Sequence, residues 1–184
     1  MTYPTFSTGE VLTAASMNAV GMWLVKTQTL SGTSTQVENC FTSDFDSYRV
    51  VFSNLTSSTV DNLTIRLVAG TTPNQTANYH SSRIDVTLGG VVEGAASANS
   101  TFWVPHVIPN TVASGGSVDI FNPKLSVATT FSATGIDTRV TVGAPYRAGG
   151  GFFNGTNSFD GLWLSTLNGG YTIGGTVRIY GYRN

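Results

Sequence analysis

Few residues in this chain are of the types that act as nucleophiles or general bases. The sequence has two histidines, His80 and His106. His80 precedes Ser81 and Ser82, so a serine nucleophile with a histidine base can be imagined there. Neighbours in an extended strand do not converge on one point, however, and the chain has no Gly-x-Ser-x-Gly elbow. His106 lies in an apolar stretch, where we expect a packed or interface histidine. The sequence therefore predicts no enzymatic activity.

Motifs for metals and phosphates are also weak. Asp44 and Asp46 lack the further acidic ligands and the glycine of an EF-hand loop, and Asp is common in turns before strands. One cysteine, Cys40, and two distant histidines do not supply a zinc site. The run from Gly149 to Gly151 is not followed by Lys-Ser or Lys-Thr, as a phosphate loop would be. We expect no metal and no cofactor, and we interpret the glycines as turns or bulges.

Recognition of a neutral sugar is an alternative that the residue types allow, although aromatic residues in a sandwich usually fill the core or an oligomer interface. Aromatic rings can stack on sugars, and Asn and Thr add uncharged hydrogen-bonding groups. Two long polar segments with embedded aromatic residues, 71–82 and 143–159, are typical of loops. The candidate ligand contacts in these predicted loops are Tyr79, His80, Tyr146 and Arg147. The alternative for these segments is a plain connection, or a subunit interface closed by Phe152 and Phe153.

The composition excludes several classes of partner. Charged residues make up 10% of the chain and the net charge is −1, whereas a soluble domain is typically about 25% charged. The chain has no Lys or Arg cluster for nucleic acid, and no basic amphipathic helix or long apolar run for a membrane. The N-terminus MTYPTFSTGE lacks the basic region of a signal peptide, and one cysteine cannot form an internal disulfide. We therefore expect folding in a reducing cytoplasm.

Alternating apolar residues predict an all-β fold. Short segments of period two recur at intervals near ten residues, bounded by Gly, Asn and Ser. The predicted strands are 23–30, 35–41, 46–53, 62–69, 83–88, 117–121, 125–132, 138–143, 162–166 and 175–182. A further candidate, 101–108, contains Pro105 and is confined to an edge or a break. The sets expected to face the core are Tyr48/Val50/Phe52, Leu63/Ile65/Leu67 and Ile84/Val86/Leu88. We predict an antiparallel, jelly-roll-like β-sandwich over residues 23–184.

Residues 1–22 differ from the rest and predict an anchoring arm. Thr13 is a candidate cap for a small helix over 14–20, which Gly21 would end. So short a helix is marginal alone in water and must pack on something, and we expect a neighbouring subunit. The predicted anchor residues are the apolar side chains Phe6, Val11, Leu12, Met17 and Met22.

Three segments carry a resemblance to a known group of proteins. FSTGEVLTAASMNAVGMWLVKTQTL (6–30) and FTSDFDSYRVVFSNLTSSTVDNLTIRLVAG (41–70) resemble small virion proteins of tailed bacteriophages, described as minor tail proteins, tail fibres or related appendages. GGTVRIYGYRN (174–184) resembles the last strand of that group. The most specific part is TGEVLTAASMN (8–18), and the middle of the chain is less similar. The resemblance implies a trimeric β-sandwich attached to the particle through its N-terminal segment, and it brings no catalytic residues.

The resemblance leaves the location on the particle open. The chain has no collagen-like, coiled-coil or β-helical shaft, so it is short for a long fibre and suits a compact knob or a head decoration protein. We expect a non-enzymatic structural protein of the virion, assembled in the bacterial host cytoplasm as a homotrimer that contacts other phage structural proteins. The alternative is a receptor- or glycan-binding module for host recognition, using the two predicted loops. A secreted adhesin or lectin ranks below both.

Overall fold

The structure is a computed structural model that describes residues 21–110, 112–138 and 146–182. Within these ranges the chain forms thirteen strands and no helix. The strands are β1 (Met22–Leu30), β2 (Ser34–Val37), β3 (Ser47–Ser57), β4 (Asp61–Ala69), β5 (Thr72–Pro73), β6 (Tyr79–Val86), β7 (Val92–Ser100), β8 (Trp103–Ile108), β9 (Ser114–Phe121), β10 (Thr129–Ile136), β11 (Tyr146–Phe153), β12 (Gly161–Thr166) and β13 (Ile173–Tyr182). The described ranges contain no helix that could span a bilayer.

Some predictions lie outside the described residues. These are the small helix over 14–20, the anchor residues Phe6, Val11, Leu12 and Met17, and most of the predicted strand 138–143. Met22, the remaining anchor candidate, is the first residue of β1 and is half exposed.

The strands form two antiparallel sheets. The larger sheet has the order β1-β13-β3-β9-β10-β11-β6-β7, and the smaller has the order β2-β12-β4-β5, with β8 also paired to β4. Strands β1 to β4 alternate between the two sheets. Near the end of the chain β12 lies in the smaller sheet and β13 in the larger sheet. The sets β1-β13-β3-β9 and β2-β12-β4-β8 together form an eight-stranded jelly roll. The predicted jelly-roll-like sandwich is confirmed.

Four further strands extend the larger sheet beyond the jelly roll. We call β10, β11, β6 and β7 the extension. Strands β6 and β7 come from the connection between β4 and β8, and β10 and β11 from the connection between β9 and β12. The prediction of loops was wrong for residues 79–82 and 146–153, which are strands. The interpretation of Gly149 to Gly151 as a turn or bulge was also wrong, since these residues lie within β11. Glycine carries no side chain, so this strand shows no apolar alternation in the sequence.

The core lies between the sheets and consists of alternate strand residues. Two of the predicted inward sets, from β3 and β4, are buried as expected: Tyr48, Val50, Phe52, Leu63, Ile65 and Leu67. An aromatic cluster joins the extension to β8. The Trp103 ring lies 4.5 Å from the Phe131 ring and 5.3 Å from that of Tyr79, which lies 5.0 Å from the Phe153 ring. Burial of each such side chain contributes about 1.5–3 kcal/mol, so the extension is held by packing as well as by strand pairing.

Candidate functional site

The outer face of the extension carries side chains in regular rows. Paired strands keep their register, so residues directly opposite each other align across the sheet. From one end of the extension to the other the rows are Thr130-Phe152-His80, Ser132-Gly150-Ser82-Ala96, Thr134-Ala148-Ile84-Gly94 and Ile136-Tyr146-Val86-Val92. These four rows contain no Lys, Arg, Asp or Glu. The face is therefore uncharged, with an aromatic end and an apolar end.

A shallow groove lies at the aromatic end. The His80 and Phe152 rings stack with their centroids 4.7 Å apart and their planes 11° apart. The groove beside them has a volume of about 360 Å³ and is lined also by Ser82, Ser97 and Gly150. Its floor is open because glycine occupies the centre of β11. An exposed ring edge beside serine hydroxyls can contact a neutral, hydroxyl-rich ligand.

The opposite end is exposed and apolar. We call Ile84, Val86, Val92, Ile136 and Tyr146 the apolar corner. All of these except the half-buried Val86 are between 40% and 63% exposed, and Leu88 and Val91 in the β6–β7 turn are exposed as well. The prediction that Ile84 and Leu88 face the core was wrong. Alternation shows which residues share a face, and in β6 the inner face carries Tyr79, Ser81, Arg83 and Asp85 instead.

The inner face of the extension holds a buried ion pair between neighbouring strands. Arg147 in β11 lies opposite Asp85 in β6. Its Nε lies 2.6 Å from Asp85 Oδ1, and its second terminal nitrogen lies 2.9 Å from Oδ2. The remaining terminal nitrogen donates to Asn62 Oδ1 at 2.8 Å. Arg147 is buried, so the predicted role as an exposed ligand contact is wrong for this residue.

Tyr79 is also buried, and its hydroxyl is satisfied inside the protein. The hydroxyl donates to the Asn74 carbonyl at 3.0 Å and accepts from the Leu67 amide at 3.1 Å. Burial raises the pKa of Tyr79 to about 12. Of the four candidate ligand contacts, the structure therefore leaves His80 and Tyr146 on the outer face. These two lie in the first and last rows, so they do not form one site.

His106 and Ser114 form a polar contact inside the sandwich. The His106 Nε2 and Ser114 Oγ atoms are 3.3 Å apart, and the Ser114 hydroxyl can donate its one hydrogen to the Leu55 carbonyl at 3.4 Å. Burial, with the nearby Arg147 cation, lowers the pKa of His106 to about 4. Both side chains are buried, so a substrate cannot reach this pair. The expectation of a packed histidine is confirmed.

The other candidate chemical groups have structural contacts. In the described part of the chain no three His, Cys, Asp or Glu side chains come together as a metal site would require. Asp44 accepts a hydrogen bond from the Thr42 hydroxyl at 3.1 Å, which is turn chemistry. The Cys40 thiol is buried and lies 3.4 Å from the Val37 carbonyl oxygen, and burial raises its pKa to about 12.

Sequence reasoning missed most of the outer face. The Phe152-Phe153 pair was predicted only as a possible subunit interface. In the structure Phe152 is exposed and Phe153 is buried. No single-sequence signal shows that Ile84, Val92 and Ile136 align on one surface, because they lie on three strands. The chain matches no protein-family model, and none of the curated proteins is significantly similar to it. The fold and its surfaces are therefore the basis for a functional proposal.

Proposed function

We propose that this chain is a non-enzymatic structural protein of a tailed bacteriophage particle, which self-assembles as a homotrimer and attaches through residues 1–22. The observation that carries the proposal is a jelly roll whose larger sheet extends into an uncharged and partly apolar outer face. Jelly rolls form many viral capsid domains and lectins. Because one fold hosts many functions, the surface and the virion resemblance of residues 6–30 and 41–70 give the proposal its direction.

The placement of charged side chains supports a contact function. Arg147 and Asp85 are engaged with each other, and Arg49 pairs with Asp119 at 2.7 Å. Lys124 pairs with Asp160. These charges stabilise the fold and leave the outer face of the extension neutral. A neutral face with exposed apolar side chains suits a permanent protein contact better than chemistry on a charged substrate.

Immunogold electron microscopy tests the proposal. Antibody against the purified chain should label intact tailed particles assembled in cells that express the full chain with the other particle proteins. Label over the head would identify a decoration protein, and label on the tail would identify a tail component. Particles without label would overturn the proposal. A variant lacking residues 2–20 retains β1, which begins at Met22, and we expect it to fold but to be absent from particles.

A second candidate function, neutral glycan recognition, is favoured by the groove beside His80 and Phe152. The stacked rings at one wall and the Ser82 hydroxyl offer the two kinds of contact that a sugar needs. The ligand contacts in this candidate are therefore His80 and Phe152 rather than Tyr146, which lies in the last row, and Arg147, which is buried.

Binding of the full-length chain to an array of neutral glycans tests this candidate. Phe152→Ala should abolish any binding, whereas Trp23→Ala is the matched control. Trp23 is similarly exposed and lies five strands away in the same sheet. If the wild-type chain binds no neutral glycan, or if Phe152→Ala binds as well as the wild type, the groove is not a glycan site.

A further inference from the structure

We infer that the apolar corner, with the adjoining edge strand β7, is the contact surface for a second copy of this chain. The inference rests on the self-assembly in the proposed function, and it names the surface that performs it. Three observations carry it: the extent of the apolar corner, its lack of charge, and the adjoining edge of β7, which pairs with β6 alone among the described strands.

The apolar corner is continuous across four strands. Ile136, Tyr146, Val86 and Val92 lie directly opposite one another in one row, and Ile84 lies one outer position further along β6. With the exposed Leu88 and Val91 in the neighbouring turn, the surface brings together seven apolar side chains, and a contiguous exposed apolar patch usually marks an interaction site. A standard interface buries about 800 Å² per partner, and both the corner and the edge of β7 can contribute to it.

The charge distribution identifies the partner as another copy. The row carries no Lys, Arg, Asp or Glu, and the charged residues Arg83 and Asp85 of β6 lie on its inner face. The corners of three copies can meet around a threefold axis without repulsion between like charges. An anionic membrane surface or a charged partner would find no complementary charge here, and among the row's side chains only the Tyr146 hydroxyl could bind a sugar by a hydrogen bond.

Strand β7 adds backbone groups to the same surface. It is the last strand of the larger sheet, and seven of its nine residues, Val92 to Ser100, are exposed. Natural edge strands are usually blocked by lysine, proline or inward charges. The segment VEGAASANS contains no lysine or proline. Its one charged residue, Glu93, lies opposite Asp85 near one end of the strand, so the edge from Gly94 to Ser100 carries no charged side chain. Such an edge can pair with a strand of another chain. Next to an apolar corner, it is typical of a surface that another subunit covers in the assembly.

Sedimentation of the full-length chain at micromolar concentration tests the inference. We expect the wild type to self-associate, and Val92→Asp and Ile136→Asp each to weaken association at least tenfold, because each places an unpaired carboxylate in the contact. Val127→Asp is the matched control, since Val127 is also about half exposed and precedes β10 at the end opposite Ile136. All three positions are exposed, so circular dichroism should show an unchanged fold.

Each outcome decides the inference. A wild-type chain that remains monomeric overturns it, as does unchanged association of both corner variants. Equal loss in Val127→Asp would show a general effect of charge and would also overturn it. The two proposals can be told apart. Unlabelled particles with corner-dependent association reject the virion location alone. Labelled particles with a monomeric chain reject the contact surface and the homotrimer but leave the virion location standing, and labelled particles with association that does not depend on the corner reject the contact surface alone.

Discussion

Arg147 and Asp85 lie opposite each other on β11 and β6 and form a two-pronged ion pair, with N–O distances of 2.6 and 2.9 Å. Burial alone would raise the pKa of the Asp85 carboxyl, but the hydrogen bonds and charge of Arg147, and then those of Arg83, outweigh it and lower the pKa. Arg147 also bonds Asn62, which lies in β4 of the smaller sheet. The ion pair therefore links the extension to the jelly roll.

Removal of the Arg147 cation should destabilise the protein strongly. Arg147→Met leaves the Asp85 carboxylate poorly paired in a mostly buried position, and breaking a buried pair in this way typically costs about 3–5 kcal/mol. Because Arg83 remains 3.3 Å from Asp85, we expect about 3 kcal/mol. The measurement is the free energy of unfolding in urea.

Arg49→Met is the matched control for this prediction. Arg49 forms a similar two-pronged pair with Asp119, but its side chain is 38% exposed, against 8% for Arg147. Exposed pairs contribute about 0–1 kcal/mol, so Arg49→Met should have a small effect. Equal losses in the two variants would contradict the role assigned to the buried pair.

The placement of His106 predicts a loss of stability in mild acid. Its pKa falls from 6.5 to about 4 on folding, through burial and the Arg147 cation, against a smaller opposing effect of Asp137. Between these two values the unfolded chain binds a proton that the folded chain does not, so the free energy of unfolding decreases as pH falls from 6.5 towards 4. The loss should reach about 3 kcal/mol at pH 4. Urea unfolding across this range measures it.

His106→Gln provides the control for the pH prediction. Glutamine can keep an amide donor near the Ser114 hydroxyl but does not titrate. The lowered pKa of Asp85 acts in a different range, because its stabilisation is lost only as pH falls below about 4. The slope between pH 6.5 and 4 should therefore be much smaller in His106→Gln. An unchanged slope would assign the acid sensitivity to other groups.

Local alternation predicted the jelly roll well. Strands β1, β12 and β13 begin within two residues of the predicted positions. In β12 and β13 alternate apolar residues pack into the core, among them Leu162, Leu164, Val177 and Ile179. The extension was harder to predict for a physical reason. Strand β7 consists mainly of Ala, Ser, Gly and Asn, and β11 contains three glycines, so neither shows apolar alternation. Pairing with neighbouring strands, rather than local pattern, makes them strands.

The candidate site depends on contacts between distant residues, which a single sequence does not show. Arg147 lies beside an aromatic residue in the sequence, which is typical of a ligand contact, but its hydrogen-bond partners are distant in the chain, and one of them, Asn62, is 85 residues away. Ile84 was correctly grouped with Val86 and Leu88, but the pattern could not decide which face of β6 is inside. His80 and Tyr146 were predicted as ligand contacts in two different loops, and they lie at opposite ends of the outer face.

The single cysteine gives a direct measure of core opening. Cys40 is buried, and burial raises its pKa to about 12, so the thiolate that reacts with disulfide reagents is scarce. We expect no labelling by Ellman's reagent in the native state and rapid, complete labelling after unfolding in urea. Labelling of the native protein at the rate of a free thiol would contradict the burial of Cys40.

The glycine run in β11 should tolerate no added side chain at Gly151. A Cβ there would overlap the His80 carbonyl oxygen of the paired strand β6. Because strands cannot separate without losing hydrogen bonds, we expect Gly151→Ala to lower the free energy of unfolding by about 3 kcal/mol.

Gly89→Ala is the control for this prediction, since the nearest neighbour of its added Cβ would be Thr87 Oγ1 at 3.8 Å, an ordinary contact. That change should be neutral or slightly stabilising, because alanine restricts the unfolded chain. If Gly151→Ala unfolds at the same urea concentration as Gly89→Ala, β11 and β6 do not approach as closely as described, and the floor of the groove beside Phe152 would have to be reconsidered.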